Sequence, residues 1–416
     1  MAEKKTYPRE QHSLALEQVD PDALYVMDKL RTAGFTAYLV GGSVRDLLLQ
    51  QKPKDFDIST SAEPEEIKKL FRNCILIGRR FRLAHIRFGK KTLEVSTFRS
   101  GCTESDELIL RDNKWGSSEE DAWRRDFTIN GLFYDSATQE IIDYVEGYPD
   151  LQKKHLRTIG QPFLRFRQDP VRMLRMLKFQ ARFGFSIDPA SQVALLECRA
   201  EIVKSAPARI LEELLRMLES GASEPFFRLL AEHGFFHLMM PAFGEFMESP
   251  QGEEVLEFLK EVDSLIHQSP QQTMDRSTLL ACLVFPLFQK RIQTHFIDRE
   301  KAPHLGEIFV EVQQLLDEIF QPFLHLPRRL RITLASILTS QYRLTPIEKR
   351  KKHRLRIPND PDFPHALKFF SFRCALQPAL QQTWEEWNAV VTSPTVRITT
   401  ARKRRRRRSP RPPQAE

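Results

Sequence analysis

Apolar residues change their spacing part-way along the 416-residue chain. Up to about residue 150, short apolar runs predict strands at 36–40, 75–77, 84–88 and 92–98, with helices beginning at Pro21 and Pro64. From about residue 190 onward the spacing is helical, in stripes that include 210–218, 255–265, 278–288, 306–324, 328–340 and 366–390. The pattern predicts a mixed part of strands and helices, followed by a part made of helices.

The stretch from Leu39 to Thr60 places candidate chemistry on this predicted structure. An apolar strand is interrupted by Gly41 and Gly42, and Ser43 is expected to cap the helix that follows. A glycine pair lets the backbone approach a ligand closely, and a helix N-terminus offers free N–H groups to an anion. Arg45, one turn into the helix, would add donors for phosphate oxygens.

Two aspartates follow in the segment Lys-Asp-Phe-Asp-Ile at 54–58. In a strand, residues two apart share a face, so we expect Asp55 and Asp57 to stand together while Phe56 and Ile58 enter the core. Two carboxylates suit Mg²⁺, which binds protein carboxylates together with substrate phosphates. A glycine pair or an aspartate pair alone is usually a turn or a solvated strand end. Their combination at this spacing favours metal-assisted nucleotidyl transfer.

Two residues are candidates for a third carboxylate beside Asp55 and Asp57. In the charged segment 119–130, Arg124 and Arg125 precede Asp126, and we expect the arginines to face an anionic ligand because burying them unpaired is costly. Glu94 competes, because its predicted strand can lie beside the aspartate strand. We favour Asp126, although the residues alone leave the choice nearly even.

A helix near residue 170 carries a second polar group. Asp169 is expected to cap it and Pro170 to begin it, with Arg172 and Arg175 on a shared face. Asp accepts a hydrogen bond from an exocyclic amine and Arg donates to ring or carbonyl acceptors, so this face is suited to reading a nucleobase. The alternative is a capped helix with exposed arginines.

Composition narrows the class of protein. The five cysteines are scattered without a metal-binding spacing, which predicts reduced thiols and a cytoplasmic location. No apolar run reaches the length of a membrane span, and the first residues lack the apolar core of a secretory signal. The net charge is +8, of which residues 401–416 contribute +7. The chain is a nearly neutral globule with a cationic tail.

Three basic segments are candidate contacts with RNA. They are a loop with Arg79, Arg80 and Arg82, a run at 349–356 with Lys351 and Lys352, and the tail, with Arg404, Arg405 and Arg406. The first two are as readily explained as solvated faces. Seven consecutive cations at 402–408 repel one another, predict disorder and favour a polyanion through counterion release.

Four motifs together resemble the class II nucleotidyltransferases, the superfamily of bacterial poly(A) polymerase and the tRNA CCA-adding enzyme. They are LVGGSVRD, KDFD, RRDFTIN and DPVRMLR, spread over residues 36–185. Segment 70–89 and the arginine-rich tail resemble the poly(A) polymerase branch. One departure is Gln168, where family members commonly have Glu; losing that charge would weaken the hold on Arg172 and affect base selectivity.

The resemblance implies an α+β chain with a polymerase-β-like head of mixed sheet and helices, an all-helical neck and body, and a disordered basic tail. We place a flexible N-terminus at 1–20, the head at 21–147, the neck at 148–205, an RNA-binding body at 206–395 and the tail at 396–416.

It also implies roles for individual residues. Asp55 and Asp57 would hold two Mg²⁺ ions, with Asp126 as the third catalytic position. ATP would be bound by Gly41, Gly42, Arg45, Arg124, Arg125, Asp169, Arg172 and Arg175.

The implied reaction is addition of AMP from ATP to RNA 3′ ends without a template, with no membrane involved and protein partners unknown. The alternatives are a CCA-adding enzyme, which would also accept CTP, and a catalytically silent RNA-binding module. The intact aspartate pair beside a glycine turn argues against the silent module.

Overall fold

The computed structural model describes residues 3–78, 83–101, 114–269, 273–347 and 355–392. Several predicted RNA contacts lie outside these residues: Arg79, Arg80, Arg82, Lys351, Lys352, Arg404, Arg405 and Arg406. In the described ranges, no helix is long and apolar enough to cross a membrane.

All described strands lie before residue 190. They are β1 (Lys5–Tyr7), β2 (Ala37–Val40), β3 (Asp57–Thr60), β4 (Cys74–Ile77), β5 (Leu83–Phe88), β6 (Lys91–Thr97), β7 (Arg99–Ser100), β8 (Lys114–Trp115), β9 (Leu132–Asp135), β10 (Glu140–Asp143), β11 (His155–Leu156) and β12 (Ser186–Ile187). Eight of them form a mixed sheet in the order β1-β10-β9-β2-β3-β6-β5-β4, in which β3 and β6 are parallel and the other neighbours antiparallel. The predicted strands are confirmed to within two residues at each end.

The helices flank the sheet and then form the rest of the described chain. They are α1 (Pro21–Thr32), α2 (Gly42–Leu48), α3 (Pro64–Leu70), α4 (Ser118–Trp123), α5 (Gly147–Gln152), α6 (Pro162–Gln168), α7 (Val171–Phe183), α8 (Pro189–Cys198), α9 (Pro207–Leu218), α10 (Ser223–Glu232), α11 (Phe235–Met239), α12 (Pro241–Met247), α13 (Gly252–Gln268), α14 (Arg276–His295), α15 (Leu305–Phe320), α16 (Arg328–Leu344), α17 (Phe363–Leu376) and α18 (Gln381–Thr392). The predicted change to an all-helical part is confirmed.

The sheet buries one face throughout. Leu39, Ile58, Val95 and Ala84 pair across neighbouring strands and are fully buried in the main core. Because side chains alternate between faces, the preceding residue of β3, Asp57, points to the opposite face. We call this opposite side the outer face.

The outer face is covered at one end of the sheet. A second apolar cluster spans β2, β9 and β10 together with α4 and the segment after β10, and includes Val40, Phe98, Phe133, Ile142 and Tyr144. Around it the aromatic rings meet edge to face, with Phe133 within 6.3 Å of Phe98 and 6.0 Å of Tyr144. Asp57 therefore lies at the border between the half of the outer face that this cluster covers and the half that is exposed among the described residues.

A buried carboxylate holds the helical part against α7. Asp263 in α13 accepts hydrogen bonds from the backbone N–H and hydroxyl of Ser223 and from the backbone N–H of Glu224, at 2.9, 2.8 and 2.8 Å. These groups are at the start of α10, which packs against both α13 and α7. The first N–H groups of a helix have no acceptor within the helix, and Asp263 provides acceptors for them at the start of α10.

Substituting this carboxylate tests its contribution. Asp263→Ala leaves buried donors unpaired, so the free energy of unfolding should fall by about 2–3 kcal/mol in urea denaturation. Glu257→Ala, on the exposed side of the same helix, should change it by less than about 0.5 kcal/mol. Equal effects of the two substitutions would contradict this role for Asp263.

Candidate active site

The glycine turn lies between β2 and α2. Gly41 has φ 65° and ψ −126°, a backbone conformation that L-residues with a Cβ avoid. A Cβ added to Gly41 would lie 2.9 Å from Nη1 of Arg125, so this guanidinium sits directly over the turn. The predicted N-cap was wrong. The helix begins at Gly42, and Ser43 lies inside it, where its hydroxyl donates to the Val40 carbonyl at 2.9 Å.

The aspartate pair lies next to this turn. Val40, the last residue of β2, is paired with Asp57, the first residue of β3. Asp55 is exposed and precedes the strand, so the expectation that both aspartates lie within one strand was wrong. Burial, followed by the negative charges of Glu94 and Asp55, raises the pKa of Asp57 to about 6, whereas Arg125 acts to lower it. Asp57 is thus surrounded by more acidic than basic groups.

Of the two candidates for a third carboxylate, the structure brings Glu94 to Asp57. Parallel pairing of Ile58 with Val95 sets Glu94 in the same row as Asp57. Asp126 is instead engaged by neighbouring donors. Its Oδ1 accepts from the Phe127 N–H and the Asn130 amide, both at 2.9 Å, and its Oδ2 lies 3.7 Å from Nη1 of Arg175.

The pKa values separate the two positions. Burial alone would raise the pKa of Asp126, but Arg175, Asn130 and Arg172 together hold it below the usual range. Asp126 is therefore an anion stabilised by the protein itself, whereas Asp57 carries charge that the protein does not neutralise. These contacts do not support our preference for Asp126, and its catalytic role stays a prediction.

Arg45 is buried between two elements of the chain. Its Nε and Nη2 donate to Oδ1 of Asp46 at 2.9 and 2.7 Å, and its guanidinium lies against the rings of Phe179 and Phe183, 4.8 and 4.9 Å from their centres. Arg182 donates to the other oxygen of Asp46 at 3.2 Å. We call this group the Arg45 clamp.

In the Arg45 clamp, the N–H donors of Arg45 that were expected to bind phosphate contact protein acceptors instead. Nη1 of Arg45 donates to Asn130, whose amide in turn donates to Asp126. Arg45 is 4% exposed, and its side chain joins α2 to α7 and to the segment after α4. A direct contact between Arg45 and phosphate stays a prediction, because in the structure its donors face Asp46 and Asn130.

Arg124 and Arg125 share a partner that sequence reasoning missed. Nε of Arg124 and Nη2 of Arg125 donate to the two oxygens of Asp121 at 2.7 and 2.9 Å. Asp121 is fully buried; burial would raise its pKa, but the two guanidinium groups hold it below the usual range. The spacing of three and four residues on one helix was the available sequence signal. Arg125 lies over Gly41 because Asp121 fixes it there.

The predicted base-reading residues gather at the start of α7. Asp169 does not cap this helix, which begins at Val171, so the expected cap at Asp169 and helix start at Pro170 were wrong. Oδ2 of Asp169 accepts from Nη2 of Arg209 at 3.0 Å, whereas Oδ1 is buried and finds no hydrogen-bond donor among the described residues. A buried acceptor without a donor is costly, so Oδ1 of Asp169 is suited to accept a hydrogen bond from a ligand.

Arginines tie this group to the glycine turn. Arg172 and Arg165 both donate to the carbonyl of Arg124, at 3.2 and 2.7 Å, and Arg165 also reaches the carbonyl of Arg125. Arg175 donates to Glu213 of α9 at 3.1 Å. Arg165, Arg209 and Glu213 were not predicted, because their partners are 38 to 41 residues away along the chain. Gln168 is buried beside Asp169.

In the described ranges, no group of three His, Cys, Asp or Glu side chains is arranged to hold a metal ion. Asp55, Asp57 and Glu94 still place an excess of negative charge here, which would suit a hard cation. Two carboxylates with a substrate triphosphate are enough for Mg²⁺.

Comparisons with known proteins agree with this geometry. Family models match three parts of the chain: the poly A polymerase head domain at 37–157, the probable RNA and SrmB-binding site of polymerase A at 184–247, and the polymerase A arginine-rich C-terminus at 310–414. The CCA-adding enzyme of Streptococcus gordonii is 34% identical over 71% of this chain and 72% of that protein.

A solved structure shows the same fold. The Bacillus stearothermophilus CCA-adding enzyme in complex with CTP matches with a TM-score of 0.61 and 22% identity, over 89% of this chain and 83% of that one. The predicted α+β class, with a nucleotidyltransferase head and helical parts after it, is confirmed. Poly(A) polymerase I of Escherichia coli O6:H1 is 38% identical over 387 residues, 89% of this chain and 82% of that protein. By this identity, and by the three matching family models, the chain belongs to the poly(A) polymerase I family.

Proposed function

We propose that this chain adds AMP from ATP to the 3′ end of RNA without a template and releases pyrophosphate. The observation that carries the proposal is the pairing of Val40 with Asp57, which sets a carboxylate beside the turn formed by Gly41 and Gly42. A triphosphate over this turn would bring its reacting phosphorus next to Asp57.

In the reaction, the RNA 3′-hydroxyl oxygen forms a bond to the α-phosphorus of ATP. The bond from that phosphorus to the oxygen bridging the α- and β-phosphates breaks, and its electron pair leaves with pyrophosphate. The attacking and leaving oxygens lie roughly in line. Mg²⁺ bound by Asp55 and Asp57 would lower the pKa of the attacking hydroxyl and neutralise charge on the pyrophosphate, and two ions are expected.

The chain's own residues orient the nucleotide. Arg125, held by Asp121, places positive charge over Gly41, where the leaving phosphates would lie. The free Oδ1 of Asp169 would accept a hydrogen bond from the exocyclic amine of adenine, with Arg172 donating to a ring acceptor. Because the carbonyl of Arg124 links Arg172 to the arginine pair, base and phosphates are held by one connected structure.

The CCA-adding enzyme is the second candidate, and the Streptococcus gordonii relative favours it. Both activities would use the same head chemistry, so nucleotide choice separates them. The match of the arginine-rich C-terminal model at 310–414 favours poly(A) addition. A cytoplasmic location and an RNA contact by the tail stay predictions.

The metal assignment is tested at Asp57. Asp57→Asn removes a negative ligand without changing its size, so the rate of AMP incorporation with Mg²⁺ should fall at least about a hundredfold. Asp28→Asn, on the exposed side of α1, is the matched control and should keep the wild-type rate. An Asp57→Asn protein as active as the control would disprove the role of this carboxylate.

Base reading is tested at Asp169. Asp169→Ala should raise the KM for ATP and reduce the preference for ATP over other nucleotides by about tenfold or more, the effect of one lost base contact. Arg209→Ala removes the ion pair but keeps the carboxylate, and should have a smaller effect on nucleotide preference. If both variants lose preference equally, the ion pair rather than a base contact is what matters.

A further inference from the structure

One row of side chains crosses the outer face of the sheet away from the glycine turn. The register pairs Val40 with Asp57 and Ile58 with Val95, which sets Glu94 next to Asp57. The same register pairs Glu94 with His85 and His85 with Ile75. Nε2 of His85 lies 3.4 Å from Oε1 of Glu94, so these two side chains meet on this face. Neighbouring strands are about 4.8 Å apart, so the row extends about 14 Å from Asp57 to the sheet edge.

Among the described residues, side chains on this half of the outer face are exposed. The apolar cluster around Phe133 shields β2, β9 and β10, whereas the side chain of Glu94 is 52% exposed, Ile75 is 41% exposed and Ile77 is 44% exposed. Ile75 and Ile77 are two residues apart on β4, so they share a face at the edge of the sheet. Natural edge strands usually carry charge or a cover, and two exposed isoleucines there indicate a surface used for contact.

The geometry of the reaction indicates which substrate would bind to this surface. In the proposed reaction, the leaving pyrophosphate would lie over Gly41, on the β2 side of Asp57. An in-line displacement requires the attacking hydroxyl to come from the opposite side of the reacting phosphorus. From Asp57, the opposite side of the sheet is β6, followed by β5 and β4. The nucleotide and the acceptor would thus occupy different halves of the outer face.

We propose that Ile75, Ile77 and His85 form the seat for the last nucleotides of the RNA acceptor, next to Glu94 and Asp57. We call these three residues the acceptor seat. The inference rests on the proposed function, because it assigns the second substrate of the same reaction. Isoleucine side chains would lie against the faces of ribose and base, and the imidazole of His85 would donate a hydrogen bond to a sugar or phosphate oxygen.

The chemistry of the seat fits an acceptor of any sequence. Apolar contact with a sugar or base face does not distinguish one base from another, whereas hydrogen bonds to base edges do. An enzyme that first extends varied 3′ ends and then its own adenosine product needs this tolerance. Base selection would remain with Asp169 and Arg172, on the nucleotide side.

The test separates the two substrates in steady-state kinetics. In the double variant Ile75→Ala/Ile77→Ala, we expect the KM for a single-stranded RNA primer to rise about tenfold, the order of one lost nucleotide contact. The KM for ATP and the rate at saturating primer should stay within about twofold of wild type. The matched control is Ile297→Ala/Ile332→Ala, which truncates two isoleucines that are 38% and 53% exposed in the helical part and should leave both constants unchanged.

A second measurement is independent of turnover. A primer ending in 4-thiouridine, crosslinked to the wild-type protein and mapped by mass spectrometry, should attach within β4 or β5, and His85→Ala should reduce the yield. Crosslinks confined to the helical part, or an unchanged primer KM in the double variant, would overturn the proposal. A change of oligomeric state with unchanged primer KM would assign the surface to a second copy of the chain instead.

Different results would disprove the proposed function and the acceptor seat. If the wild-type chain does not extend any primer with ATP, the proposed function fails. If wild type extends the primer and the double variant has the same primer KM, the acceptor seat alone is wrong.

Discussion

The arrangement of the candidate site depends on the buried guanidinium of Arg45. Removing a charge from water is costly unless it is paired and hydrogen-bonded, and here Asp46 and Asn130 supply the acceptors while two phenylalanine rings lie against the guanidinium. Asp46 also pairs with Arg182, so α2 and α7 are held together by charge as well as packing. These contacts therefore fix the position of α2, which follows the glycine turn, relative to α7, which carries Arg172.

A second consequence is the unequal treatment of the acidic side chains. Asp121, Asp126 and Glu213 are each matched by arginine, and Glu213 also by Lys178, which keeps their pKa values low in spite of burial. Asp57 is not matched in this way, and burial together with the neighbouring carboxylates raises its pKa. The protein thus neutralises the acids that position its helices and leaves negative charge where a cation and a triphosphate would bind.

Local rules account for much of the structure. Strand alternation and helical spacing placed Ile58 in the core and Asp57 on the other face, and four short motifs identified the superfamily. Three local predictions failed. Asp55 lies before β3 instead of within it. Gly41, with its positive φ, is the N-cap in place of Ser43, so α2 begins at Gly42. Asp169 accepts a hydrogen bond from Arg209 instead of capping α7. The partners Asn130, Arg165 and Glu213 were beyond such reasoning, because their contacts depend on how distant segments pack. The choice between Glu94 and Asp126 required the strand register, which the sequence pattern does not determine.

Nucleotide choice in primer extension tests the central claim most directly. The purified protein would be given Mg²⁺, either an unstructured RNA or a tRNA lacking its 3′ end, and one nucleotide at a time. We expect long products with ATP alone on both RNAs and no extension with CTP. Incorporation of CTP confined to the tRNA, followed by a single AMP, would contradict it and assign the chain to CCA addition.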